Sequence, residues 1–280
     1  LPWPSRWRRR GAGWASLLRV PVCPVGRLIR GRAPALDDPA AQRQGLTIVL
    51  PGIQGRSFAE YDLAVGLAQG GVPGRITVVD WTSGWFFRAF WHLRDVAMHE
   101  AGGEEVANLV AEHRRLYPHA PVYVVGYSGG ASVALHGLAR LPAGTTATRT
   151  LLLAPACSPP IDAAALADRC DHGIDAVCSR LDVPILVGLL TTLGTTDGRH
   201  RPGAGWGGFE RTDVPAFREH HWRPGWVRRF HYGGHFGAVN RVFAAEALAP
   251  LLLSHRASEG APAPRANNLP ARGADAPSLA

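Results

Sequence analysis

Val122-Tyr123-Val124-Val125-Gly126-Tyr127-Ser128-Gly129-Gly130-Ala131-Ser132-Val133-Ala134-Leu135 is the stretch that decides how this chain folds. Its first four residues are β-branched or aromatic and form an apolar run of strand type. Residues 131–141 carry Ala, Val and Leu with helix-compatible spacing. Between the two, Gly126-Tyr127-Ser128-Gly129-Gly130 matches G-x-S-x-G. That turn is so tight that its central residue takes strained backbone angles and its neighbours must be small. A strand, this turn and a helix put the Ser128 hydroxyl at the carboxyl end of a buried strand, where open α/β sheets place their sites.

Working outward, the same alternation continues on both sides. Residues 46–50 form a strand ending at Pro51-Gly52, and residues 58–67 a helix. Residues 76–79 are a second strand, closed by Asp80-Trp81, and residues 104–116 an amphipathic helix. After the central strand come strands at 150–153 and 174–178, a short helix at 163–169, a connecting helix at 182–193, a last strand near 219–222 and a helix at 242–253. The first five strands are near-continuous apolar runs, as expected where helices cover both faces of a parallel sheet. The fold class is therefore α/β, a doubly wound, mostly parallel central sheet flanked by helices.

Residues 46–250 resemble the α/β-hydrolase superfamily: the elbow at Ser128 is its most specific motif, and the order of elements agrees over about three quarters of the chain. The resemblance implies a serine nucleophile served by a histidine in the loop after the last strand. Tyr232-Gly233-Gly234-His235-Phe236-Gly237 is similar to that loop, which makes His235 the base, with His220, His221 and His231 as neighbouring competitors. A hydroxyl near neutral pH needs such a base within hydrogen-bond reach, and the base needs a carboxylate to fix its tautomer. Asp182 follows the 174–178 strand in a turn resembling the family's acid loop. Asp197, in Gly194-Thr195-Thr196-Asp197-Gly198, is the alternative, and would require residues 184–190 to be a strand.

The resemblance also implies an oxyanion hole built from backbone N–H groups. Gly129 supplies one, and the turn Pro51-Gly52-Ile53-Gln54-Gly55 supplies Ile53 or Gln54 as the second; Pro51 stands where family members usually carry His. The aromatic stretch 81–92, in which six of twelve residues are Trp or Phe, is open to three readings: acyl-binding cleft, lid, or core. Trp81, Trp85, Phe86 and Tyr127 are the cleft candidates. The activity implied is cleavage of a small-molecule or lipid-like carboxylic ester through an acyl-enzyme, with no metal and no organic cofactor. Acyl transfer or thioester hydrolysis on the same triad stays open, as does a non-catalytic interaction protein on the same scaffold.

Composition bounds the rest. At 280 residues the chain has ample core, and no apolar run approaches the length of a membrane-spanning helix. All 30 basic residues are Arg; residues 1–36 hold eight of them and no Asp or Glu, which accounts for the whole net charge of +8. The expected organisation is a basic N-terminal tail at 1–42, poorly ordered or a leader, a hydrolase domain at 43–255 and a disordered tail at 256–280. The basic tail, with Trp3, Trp7 and Trp14, is suited to anionic membrane or nucleic acid. Cytoplasmic and exported locations both stay open, as does oligomeric state. Cys23, Cys157, Cys170 and Cys178 lack metal-site spacing and read as small buried thiols, with a Cys170–Cys178 bridge as the alternative.

Overall fold

The apolar runs pair as strands within two residues of the ranges read from sequence. A computed structural model describes residues 3–21, 36–210 and 213–258. In chain order it contains α1 (Arg6–Arg19), β1 (Leu46–Leu50), α2 (Phe58–Gln69), β2 (Arg75–Val78), α3 (Ala89–Arg94) and α4 (Val96–Leu116). Then come β3 (Val122–Tyr127), α5 (Gly129–Ala139), β4 (Arg149–Leu153), α6 (Ala163–Ala167) and β5 (Ile174–Cys178). The chain continues through α7 (Leu190–Leu193), α8 (Ala204–Gly207), β6 (Phe217–His221), α9 (Arg241–Phe243) and α10 (Ala249–Ser258). All neighbouring strands run parallel in one sheet of order β2-β1-β3-β4-β5-β6.

Side chains alternate across that sheet, so each strand feeds two cores. Tyr123, Val125 and Tyr127 of β3 pack with Leu63 and Leu67 of α2, Phe243 of α9 and Leu252 of α10. Val122 and Val124 face the other way, with Val106 and Val110 of α4 and Val133 and Leu138 of α5. Burial on both faces is why these strands read as continuous apolar runs. The strand order turns outward on either side of β1 and β3, which opens the crevice that receives the site.

Two expected helices differ in detail. Residues 184–189 form a wide π-type turn leading into α7, so the strand that the Asp197 alternative required is not formed. A second π-type segment, Ala244–Leu248, joins α9 to α10.

The N-terminal stretch departs from expectation more strongly. Instead of a poorly ordered tail, residues 6–19 form α1, capped by Ser5, whose side chain accepts from the Arg8 N–H. It has few large apolar residues to bury; it docks through polar groups and a close contact. Arg9 bonds both carboxylate oxygens of Glu246 and donates to the Arg228 carbonyl at 2.7 Å. Arg19 reaches Asp62 at 3.1 Å, and Asn240 donates to the Gly13 carbonyl at 3.0 Å. Gly13 lies against the Phe230 ring, where an added Cβ would fall 2.4 Å from the nearest ring carbon. Sequence patterning missed this because the docking face is Arg9, Gly13 and Ser16, not an apolar stripe. The disordered tail expected at 256–280 lies mostly outside the described residues; residues 256–258 are the end of α10. Cys157, Cys170 and Cys178 are buried and free, with no bridge between the latter two; burial pushes the Cys157 and Cys170 thiols up to about 12. Cys23 lies outside the described residues.

Two measurements follow from this packing. Removing residues 1–21 should lower the melting temperature by at least about 4 °C, since losing about 2 kcal/mol shifts a chain of this size by roughly 2–4 °C per kcal/mol; an unchanged melt would show that α1 does not dock. Glu60, at the start of α2, is fully buried, and burial raises its carboxyl to about 7 against the hydrogen bonds from Ser57. A folded-state value above the unfolded one means stability is full at low pH and falls as pH rises through about 7. Relative to Glu60→Gln, wild type should lose up to about 3 kcal/mol between pH 4.5 and 8, as urea titrations of both proteins would show; His231, held neutral by burial, works in the opposite sense in both and cancels from the difference.

Candidate active site

The elbow forms because three backbones approach more closely than side chains allow. Ser128 sits between β3 and α5 with φ 55° and ψ −117°, a left-sided conformation that is costly for any residue other than glycine. Its N–H donates to the Leu153 carbonyl at 2.8 Å, which anchors the turn to β4. A Cβ on Gly126 would stand 2.5 Å from the Gly130 carbonyl oxygen, and one on Gly130 would stand 2.4 Å from that of Pro51. Those two glycines are therefore required by contact, as the sequence motif implied.

His235 reaches Ser128 from the loop after β6. Its Nε2 is 2.9 Å from Ser128 Oγ, and its Nδ1 is 2.6 Å from Asp182 Oδ2. All three side chains are buried. The acid and base loops are tied together directly: Ser179 Oγ donates to the Gly233 carbonyl at 2.6 Å. Gly233, at φ 89°, lets that loop pass so near Leu181 that an added Cβ would clash at 2.6 Å. With Nδ1–H donating to Asp182, Nε2 is left as the acceptor facing the hydroxyl.

The competing groups are occupied elsewhere. Asp197 is not near His235; it accepts from the Ser158 N–H at 2.9 Å, the Ser158 hydroxyl and the Thr195 hydroxyl, and braces the loop after β4. Burial works to raise its carboxyl, and those hydrogen bonds hold it below the usual carboxylate value. His220 bonds Asp175 at 2.8 Å, and His221 bonds Glu219 at 3.2 Å. His231 is stacked on Trp226 and accepts from the Gly233 N–H, with burial lowering it to about 3. It stays a neutral structural imidazole near pH 7.

The loop after β1 is positioned by two buried side chains that sequence reasoning did not single out for this task. Trp81 Nε1 donates to the Pro51 carbonyl at 2.8 Å. His92 Nδ1 lies 2.8 Å from the Ile53 carbonyl, and its Nε2 lies 2.7 Å from Ser83 Oγ. The turn closes through the Gly55 N–H on the Gly52 carbonyl at 3.0 Å. Ile53 comes over Gly129, where a Cβ would meet its Cγ2 at 2.8 Å. Gln54 turns its side chain away to Glu60 at 3.0 Å. Gly129 begins α5, so its N–H has no partner within that helix.

The four cleft candidates divide. Trp81 and Tyr127 are buried and stand behind the site: Trp81 touches the Gly129 position and holds Pro51, while Tyr127 packs 5.2 Å from the His235 ring. That corrects their assignment to the cleft. For Tyr127 the signal was present, since it shares a strand face with Tyr123 and Val125. Trp85 and Phe86 are exposed, with Phe87, Phe90 and Trp91. Of the three readings of 81–92, core holds only for Trp81, Ala89 and His92. A groove of about 500 Å³ lies beside the exposed set, lined by Phe90, Trp91, Arg94, Asp95 and Leu193.

Neither a family model nor a curated protein matches the chain. Among solved structures it is similar to a candidate hydrolase of the alpha/beta superfamily from Xanthomonas campestris pv. campestris, with 15% sequence identity, a TM-score of 0.41, 75% of this chain covered and 99% of that one. This is a likeness in the course of the chain alone; the site described above stands on its own distances.

Proposed function

We propose that the chain is a serine hydrolase that cleaves a carboxylic ester through an acyl-enzyme. The observation that carries this is the linked geometry of Ser128, His235 and Asp182 on a strained elbow at the carboxyl end of the central strand. Ser128 Oγ attacks the ester carbonyl carbon as His235 Nε2 takes the hydroxyl proton. Asp182 holds Nδ1–H and stabilises the imidazolium that forms. The tetrahedral oxyanion faces the Gly129 N–H and the Ile53 N–H; Ile53 is favoured over Gln54 because it lies over Gly129. Collapse expels the alcohol, which receives the proton from His235. Water then attacks the acyl-enzyme with His235 again as base, releasing the acid and restoring Ser128.

The exposed aromatic segment, whose buried side holds the donor loop through Trp81 and His92, favours an apolar acyl or aryl group over a small polar one. Acyl transfer and thioester hydrolysis use the same first half-reaction and differ in the acceptor or leaving group. A scaffold without activity is the reading from another class, and labelling separates it.

A fluorophosphonate probe should label wild type at Ser128 and leave Ser128→Ala unlabelled, with the two proteins melting within about 2 °C of each other. Wild type that resists the probe would remove the hydrolase reading. Losing the true acid removes tautomer control, so Asp182→Asn should lower kcat at least about 10²-fold, with little change in KM. Asp197→Asn should cost less than about tenfold, because that carboxylate braces a loop 155–158 and touches no triad member. Both variants are measured on the best substrate from a series of p-nitrophenyl esters of graded chain length. The reverse ranking would transfer the acid role to Asp197.

A further inference from the structure

Helix α1 is mounted with its hydrophobic side outward. Its inner face is Arg9, Gly13 and Ser16, which bond or touch Glu246, Phe230, Asn240 and Arg241 of the body. Its outer face carries Trp7 and Leu18, eleven residues or three turns apart on one stripe of a 3.6-residue helix; Trp14, between them, packs T-shaped against Phe230 of the body with ring centroids 5.7 Å apart. Trp7 and Leu18 are 81% and 75% exposed, and Trp14 keeps about half of its surface exposed. Arg6, Arg8 and Arg10 are exposed around the same helix, and residues 1–36 contain no carboxylate to neutralise them. A helix that spends its polar face on the protein and presents Trp and Leu to solvent is inverted with respect to ordinary surface helices.

We propose that the outer face of α1 is a docking surface for a bilayer containing anionic phospholipid, on which the helix lies in the plane of the interface. Trp and Leu enter the headgroup and upper acyl region, while the Arg side chains extend to the lipid phosphates; each cation near such a surface strengthens binding about fivefold. The salt bridge to Glu246 and the bonds at Gly13 and Ser16 make the helix part of the body, so docking carries the whole molecule to the surface. No helix among the described residues is long and apolar enough to cross a membrane, and in-plane seating needs none. Nucleic acid would also take up the Arg residues. It has no use for an exposed Leu18 between flanking turns, because phosphate contacts position through charge and hydrogen bonds.

Flotation of the full chain with phosphatidylcholine vesicles containing 30% phosphatidylglycerol tests this, with pure phosphatidylcholine vesicles and a 20-base-pair DNA duplex as the other arms. Wild type should bind the anionic vesicles at least about tenfold more tightly than the neutral ones. Trp7→Ser/Leu18→Ser should lose at least about tenfold on anionic vesicles and keep its affinity for the duplex. Arg6→Gln/Arg8→Gln/Arg10→Gln should lose binding to the anionic vesicles and flatten its salt dependence. All altered side chains are exposed, and a thermal melt within about 2 °C of wild type shows that α1 stays docked. Unchanged vesicle binding by the Trp7/Leu18 variant overturns the proposal. So does a duplex affinity above that for anionic vesicles, which would assign the surface to nucleic acid.

Discussion

The close approach of three backbones at the elbow is the constraint on which the rest of the site depends. β3 must run alongside β1 with no side chain at Gly126 or Gly130, because the Pro51 and Gly130 carbonyl oxygens occupy the space a Cβ would need. That contact forces Ser128 into a left-sided conformation, which lifts its hydroxyl above the sheet. It also brings the turn after β1 against the start of α5, where backbone N–H groups are unpaired by position. A single packing requirement thus fixes the nucleophile and the donor loop relative to each other.

Much of this was legible in the sequence, and the reasons are physical. Strands buried on both faces are largely apolar, with paired exceptions such as Asp175, so residues 46–50, 122–125, 150–153 and 174–178 announce themselves without homologues. The elbow announces itself because only glycine fits beside Ser128. The choice between Asp182 and Asp197 turned on whether residues 184–190 could be a strand, and that segment begins with Pro184 and forms a π-type turn. What stayed hidden depended on contacts made over long sequence separation. Nothing local to Arg9 reveals Glu246, 237 residues away, and nothing local to His92 reveals the Ile53 carbonyl. Aromatic clusters were ambiguous for a related reason: Trp81 and Trp85 differ by four residues, yet one is buried and one is on the surface.

Buried charge is handled by two different devices in the same molecule. On β5, Asp175 is ionised in mid-sheet. Burial works to raise it, but His220, Arg218 and Arg149 surround it and hold it below the usual carboxylate value. Glu60 faces only uncharged donors, Ser57 and Gln54, and burial carries it the other way. The same side-chain chemistry gives opposite outcomes because one site supplies cations and the other does not. This difference also explains why a histidine on the last strand, so near the base in sequence, is unavailable as one: His220 is committed to Asp175.

Three sets of struts converge on Ser128. The elbow is held by backbone contact. The acid and base loops are tied to each other twice, by Ser179 donating to the Gly233 carbonyl and by the Asp182–His235 bond itself. The donor loop is held from the far side by Trp81 on Pro51 and His92 on Ile53. Because His92 and Trp81 belong to the segment whose exposed face carries Trp85, Phe86, Phe90 and Trp91, the residues facing solvent and those fixing the donor loop are two sides of one short stretch of chain.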